Sequence, residues 1–226
     1  ATPLRVWDFA AAQRVDAFIA GSYNAARRIA KYYRRECDTV QPPVETGVFT
    51  ASEHIGDYFL VISRLQPYKR IDLAVEACSR LGLPLHVIGQ GPDRSRLERL
   101  AGPTIRFLGH LPDEEVRRQF AECRAFILPG EEDFGLTPVE AQASGRPVIA
   151  YGAGGALETV KDGVTGIFFH QQTVAALETV LRTFDDRFDV APLQAHARTF
   201  DTDVFVQRMF AVLEFRYREH RARFCP

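Results

Sequence analysis

YFLVISRLQPYKRIDLAVEACSRLGLPLHVI, residues 58–88, decides the fold. Its opening, Tyr58–Ser63, is a short apolar run with no helical period, the pattern of a strand buried on both faces. Ile71, Ala74, Val75 and Cys78 then recur at i, i+3, i+4 and i+7, which gives one apolar face to a helix. Pro84–Ile88 is a second short apolar run. Strand, helix, strand is the unit that joins parallel neighbours in a sheet.

The alternation continues outward. Thr104–Leu108, Ala125–Leu128, Pro147–Tyr151 and Thr165–Phe169 read as further buried strands. Val116, Phe120 and Cys123 keep helical spacing between them, as do Val174, Leu177 and Leu181. About six strands separated by helices predict an α/β chain with a doubly wound, Rossmann-like parallel sheet, whose ligand lies beyond the carboxyl ends of the strands. The flanks fall outside this rhythm. Residues 1–41 read as a helix end, a strand (Asp16–Ala20), a helix capped by Ser22 and a short strand near Thr39–Gln41. Pro42-Pro43 opens an irregular linker, 42–56. The alternating domain then spans 57–199, and 200–226 carries a helix with Val206, Met209, Phe210, Leu213 and Tyr217 on one stripe.

Bulk composition narrows the function. The 226 residues are 46% hydrophobic and 25% charged with net charge −1, so no basic surface for nucleic acid is implied. No apolar run reaches the roughly 20 residues of a membrane span, and no signal-peptide pattern opens the chain. Cys37, Cys78, Cys123 and Cys225 are scattered without a CxxC pair, which suits small buried side chains and a reducing cytoplasm better than a metal site. Met209 is the only methionine and residue 1 is Ala, which reads as a piece of a longer chain.

Two segments carry chemistry. In EDFGLTPVE, Glu132 and Glu140 bracket a turn that opens a helix. Backbone N–H groups at such a start attract phosphate, and a carboxylate one turn inside can accept both hydroxyls of a ribose. The same residues fit a capping box, with Thr137 as N-cap, Pro138 at N1 and Glu140 at N3. Upstream, SRLQPYKR sets Arg64 and Lys69 in the loop after a strand. Cations near a helix start oppose its dipole, so they need another purpose, and a diphosphate supplies one. Arg70 reads as a surface residue. Gly152–Gly155 (GAGG) is either a phosphate cradle or a plain turn into the next helix, and Asp162-Gly163 is a turn.

These segments stand in register with others: GQGP (Gly89–Pro92), FLGHL (Phe107–Leu111), GRPVIA (Gly145–Ala150), GAGGALE (Gly152–Glu158) and DGVTGIFF (Asp162–Phe169). The series resembles the nucleotide-sugar half of family-4 (group 1) retaining glycosyltransferases of the GT-B fold, and WDFAAAQRVDAFIAGS followed by QPPVETGVF is similar to that family's crossover between domains.

The resemblance implies roles. Arg64, Lys69 and Glu132 would form the catalytic set, the cations neutralising the leaving diphosphate and Glu132 holding the donor sugar. Glu140 would bind the ribose. Phe134, Gly135, Leu136 and Thr137 would offer backbone N–H groups to sugar and phosphate. Gly109, His110 and Leu111 would lie along the base through backbone atoms, with no acid–base role for the imidazole. No cofactor or metal is implied, because Arg and Lys do the work of a metal. An acceptor domain would precede residue 1, and the helix at 200–226 would cross back to it. The piece alone would then be inactive, with apolar faces open to self-association. SRL, YKR and the PPV linker resemble bacterial polysaccharide mannosyltransferases, which implies GDP-mannose as donor, a glycan or lipid-linked acceptor and a place in the cytoplasm, at the inner membrane face. A non-catalytic nucleotide-sugar-binding module is the alternative.

Overall fold

The computed structural model describes residues 2–185 and 187–224, which form two compact units. Residues 44–199 make the larger one, and 2–43 with 200–224 the smaller.

The larger unit holds six parallel strands: β3 (Phe59–Ile62), β4 (Leu85–Ile88), β5 (Ile105–Gly109), β6 (Ala125–Leu128), β7 (Val148–Tyr151) and β8 (Gly166–Phe169). Each lies within its predicted run or passes it by one residue. Connecting them are α3 (Ile71–Leu81), α4 (Arg94–Leu100), α5 (Asp113–Glu122), α6 (Leu136–Ala143) and α7 (Ala156–Thr159), while α8 (Val174–Thr183) and α9 (Val190–Ala197) follow the last strand. Strand order is β5-β4-β3-β6-β7-β8. The chain therefore builds outward from β3 to one edge, returns to pair β6 with β3, and builds to the other edge. That reversal leaves a crevice between the carboxyl ends of β3 and β6, where doubly wound sheets bind ligands.

Apolar residues cover both faces of the sheet. Phe59, Val61, Leu85 and Ile127 pack with Ile71, Ala74, Val75 and Cys78 of α3 and with Leu177 and Leu181 of α8. On the other face Leu60, Phe126, Val148 and Ala150 pack with Phe120 and Cys123 at the end of α5 and Ala141 of α6. Phe59, Phe120, Phe126 and Phe169 are fully buried, each worth about 1.5–3 kcal/mol in apolar area removed from water. Residues 44–56, read from sequence as a linker, belong to this unit. Phe49 sets its edge against Phe120, Gly56 N–H donates to Glu122 O at 2.7 Å, and the buried Arg146 guanidinium donates to Ser52 O and Ala121 O at 2.6 and 2.7 Å.

In the smaller unit, α1 (Thr2–Ala12) and α2 (Tyr23–Tyr33) accompany a two-strand parallel pair, β1 (Ile19–Ala20) with β2 (Asp38–Thr39). Ser22 caps α2, its hydroxyl accepting from Ala25 N–H at 2.9 Å. The final helix, α10 (Thr202–Phe224), keeps only Met209 of the predicted stripe partly covered: Val206, Phe210, Leu213 and Tyr217 are exposed, and Phe205, Val212 and Arg216 are partly covered instead. Arg216 fixes that phase by pairing with Asp38 at 2.6 Å and Glu219 at 2.7 Å. Cys78 and Cys123 are buried free thiols, both pushed up to about 12 by burial; Cys37 is half-buried in the loop before β2. Cys225 lies outside the described residues.

Candidate functional site

Two loops leave the sheet at its reversal. After β3, the chain passes Arg64, closes a 3-10 turn at Pro67–Lys69 and enters α3. After β6, it passes Pro129 and Gly130 to Glu131–Phe134 and enters α6. The loops touch closely, since a Cβ on Gly130 would lie 2.6 Å from Lys69 O. Their proximity brings the Lys69 ammonium onto the Glu132 carboxylate as a mostly covered ion pair. The two residues are far apart in sequence, and only the β3–β6 pairing unites them. Arg64 is exposed nearby, its guanidinium 3.4 Å from the Tyr68 hydroxyl, while the Tyr68 ring lies 5.2 Å beneath the Lys69 ammonium. Tyr68 thus links the two cations, although no period or motif singles it out in the sequence.

Arg70 is more engaged than a surface residue. It sits in the left-handed region (φ 53°) between the 3-10 turn and α3, pairs with Asp72 at 3.2 Å and donates to Gln172 at 3.4 Å. Gln172 donates in turn to Pro129 O at 3.2 Å. These bonds tie the start of α3 to the loop after β6.

Glu140 answers the question its surrounding motif left open. The N-cap of α6 is Gly135, at φ 91°, and no side chain bonds the helix start. The capping box expected from Thr137 and Glu140 therefore does not form: the helix begins at Leu136, which puts Glu140 too far inside to reach back. Its carboxylate has no hydrogen-bond or salt-bridge partner among the described residues, and burial raises its pKa. A half-buried carboxylate without a protein partner is free to accept from a ligand. The uncapped first turn of α6 beside it is favourable to an anion.

GAGG is neither free nor a phosphate cradle by its geometry; it seats protein backbone. Gly155 N–H donates to Glu132 O at 2.7 Å, and a Cβ on Gly155 would lie 2.2 Å from Phe134 Cα. Phe134 is itself buried, while Leu136 is exposed. A cleft of about 450 Å³ opens at the ends of β3, β4 and β5. It gathers four residues expected from sequence: Arg64, His110, Leu111 and Thr137. Gly109 precedes it at φ 70°, its carbonyl held by Gly89 N–H at 2.7 Å. Ser63, Gln90 and Asp113 also line the cleft, and sequence reasoning passed over all three. No group of three or more His, Cys, Asp or Glu suited to a metal occurs among the described residues, nor any helix long and apolar enough to cross a membrane.

A family model described as glycosyl transferases group 1 matches residues 51–186. Among curated relatives, a D-inositol 3-phosphate glycosyltransferase of Geodermatophilus obscurus is 28% identical over 87% of this chain and 52% of its own length. A glycogen synthase of Xanthomonas oryzae is 36% identical over 60% of this chain and 29% of its own. The chain thus spans about half the length of these relatives or less. Among solved structures, Anabaena HepE in complex with UDP and glucose superposes with TM-score 0.82 over 94% of this chain and 67% of that one, at 21% identity. A sucrose-phosphate synthase from Thermosynechococcus elongatus gives 0.83 over 98% and 62%, at 20% identity. At such identities the shared property is the fold.

Proposed function

Because the chain belongs to the group 1 glycosyl transferases, we propose that residues 44–199 bind the donor in a retaining transfer of a hexose from a nucleotide diphosphate sugar to a glycan or lipid-linked acceptor. The observation that carries this reading is the meeting of Lys69 with Glu132 at the strand-order reversal, with the unpartnered Glu140 on the helix that follows the Glu132 loop.

Breaking the bond from sugar to diphosphate leaves growing negative charge on the phosphate. Arg64 and Lys69 stand where they can meet it, and fixed cations favour that state over the ground state. Each charge-assisted contact contributes about 1.5–3 kcal/mol, so no metal is needed in this scheme. Lys69 is paired with Glu132 in the ligand-free chain; donor binding divides the pair, the ammonium turning to phosphate and the carboxylate to the sugar hydroxyls. Phe134–Thr137 contribute backbone N–H groups, and Glu140 accepts from the ribose. Gly109, His110 and Leu111 border the base. Mannose, carried as GDP-mannose, is the donor favoured by the SRL, YKR and PPV segments. The exposed apolar side chains of α1 (Leu4, Trp7) and α10 (Phe210, Tyr217) support docking against the acceptor domain or self-association. Without an acceptor domain the chain binds donor and does not turn over.

Calorimetric titration of the chain with GDP, UDP and ADP, alongside Arg64→Ala and Glu140→Ala, tests this. Binding of a diphosphate that both variants weaken at least tenfold is expected. Binding that neither variant changes would remove these residues from the site.

A further inference from the structure

Among the described residues of the larger unit, Arg70 is the only non-glycine with a positive φ, 53°. Backbone strain is incurred there that glycine would avoid, so the side chain must bring something in return. Its guanidinium forks onto the Asp72 carboxylate, Nε to Oδ1 at 3.2 Å and Nη2 to Oδ2 at 3.3 Å. The remaining arm donates to Gln172 Oε1 at 3.4 Å. Gln172 stands in the turn between β8 and α8, and its Nε2 donates to the carbonyl of the buried Pro129 at 3.2 Å. The start of α3, the turn after β8 and the loop after β6 are thereby joined through two side chains.

This link flanks the point where the two site loops touch. Lys69 O abuts Gly130; Arg70 follows Lys69, and Pro129 precedes Gly130. In the ligand-free chain the Lys69–Glu132 ion pair ties the same two loops. Donor binding divides that pair in the scheme above, and the link through Arg70 and Gln172 is then the one that remains.

We propose that Arg70 and Gln172 are positioning residues of the donor site: they hold the two loops at a fixed spacing while the Lys69 ammonium leaves Glu132 for the phosphate. The inference rests on the donor-site reading above and adds to it the residues that fix its geometry. Neither residue touches the donor, and both act through Lys69. Without them the loops loosen as the ion pair opens, and binding must order them again.

The test titrates the whole chain calorimetrically with GDP, UDP and ADP. Arg70→Gly, which takes φ 53° without strain, and Gln172→Leu should each weaken diphosphate binding about three- to tenfold, the worth of one hydrogen bond. Melting midpoints of both should stay within about 2 °C of the parent, since the side chains removed are not part of the core. Gln172→Glu separates the two halves of the link. Its carboxylate still accepts from Arg70 but cannot donate to Pro129 O, so it should bind as weakly as Gln172→Leu. Arg80→Ala is the control: it breaks ion pairs to Glu76 at 3.2 Å and Glu178 at 3.4 Å near the far end of α3, and should leave binding unchanged. In a Lys69→Ala background Arg70→Gly should cost no further affinity, because the ammonium it positions is gone; a merely structural loss would add in full. Parent-like binding by any of the three link variants, or full additivity with Lys69→Ala, overturns the positioning role and leaves the donor site standing. A folded chain that binds no diphosphate, or a Lys69→Ala protein that binds as the parent does, removes the donor-site reading and this inference together.

Discussion

Replacing Gly155 with alanine isolates one contact on which the site depends. Gly155 has φ −70°, so alanine meets no backbone strain there. Everything unfavourable must come from the added Cβ. That atom would lie 2.2 Å from Phe134 Cα, 2.4 Å from Phe134 O and 2.5 Å from Phe134 N, where ordinary contact begins at 3.4 Å. All three neighbours are backbone, so no side chain can rotate away; one loop must retreat by about 1 Å. Overpacking of this kind costs about 1–3 kcal/mol. For a unit of this size, 2 kcal/mol lowers the melting midpoint by about 4–8 °C. The retreat also strains the 2.7 Å bond from Gly155 N–H to Glu132 O, so it moves the residue that pairs with Lys69. A displacement near 1 Å is enough to cost a positioned site tenfold or more. Thermal unfolding and GDP titration of Gly155→Ala should therefore both shift. Gly47→Ala, whose Cβ would meet nothing within 4 Å, serves as the control and should leave both unchanged. A Gly155→Ala protein that melts within 1 °C of the parent and binds GDP equally would refute the claim that GAGG seats the Glu132 loop.

Three further outcomes follow from individual side chains. Burial raises the pKa of Glu140 above its ordinary 4.5, so the folded chain holds this proton more tightly than the unfolded one and loses stability as pH rises through the folded value; Glu140→Gln should be more stable than the parent at neutral pH in urea titrations, yet bind diphosphates more weakly, and lower stability at pH 7 would contradict this. Arg146 is buried, has its pKa lowered by that burial and donates to Ala121 O and Ser52 O, so Arg146→Met leaves two carbonyls unpaired and should cost about 2–4 kcal/mol in the same assay; a change below about 0.5 kcal/mol would show that water replaces the guanidinium. Lys69→Ala should weaken diphosphate binding about 10- to 100-fold by calorimetry while changing stability by only about 1 kcal/mol, because its ion pair with Glu132 lies at a crevice rather than in the core; a large loss of stability with unaltered binding would make the pair structural.

The strands were legible because a parallel strand covered on both faces must be apolar throughout, and Ala125–Leu128 is read to the residue for that reason. What the sequence withheld was set by contacts between distant segments. TPVE satisfies a capping pattern, but Gly135 at φ 91° turns the backbone early and starts α6 at Leu136, so the pattern falls two residues out of place. GAGG was ambiguous because the backbone it seats, Glu132 to Phe134, lies some twenty residues upstream, beyond any local motif. In α10 the helix was expected but its covered face only in part: of the stripe at 206, 209, 210, 213 and 217, Met209 alone is partly covered, together with 205, 212 and 216, and Arg216 is held there by Asp38. Apolar content alone could not report that a charged side chain chooses the face. Asp113 shows the same limit at the site. As part of DEE it reads only as an acidic helix start, and it comes to line a cleft once β3, β4 and β5 are set side by side. The reversal between β3 and β6 therefore brings Lys69 to Glu132, and the two segments that follow these strands each give one residue, Arg64 and Thr137, to the cleft at the ends of β3, β4 and β5.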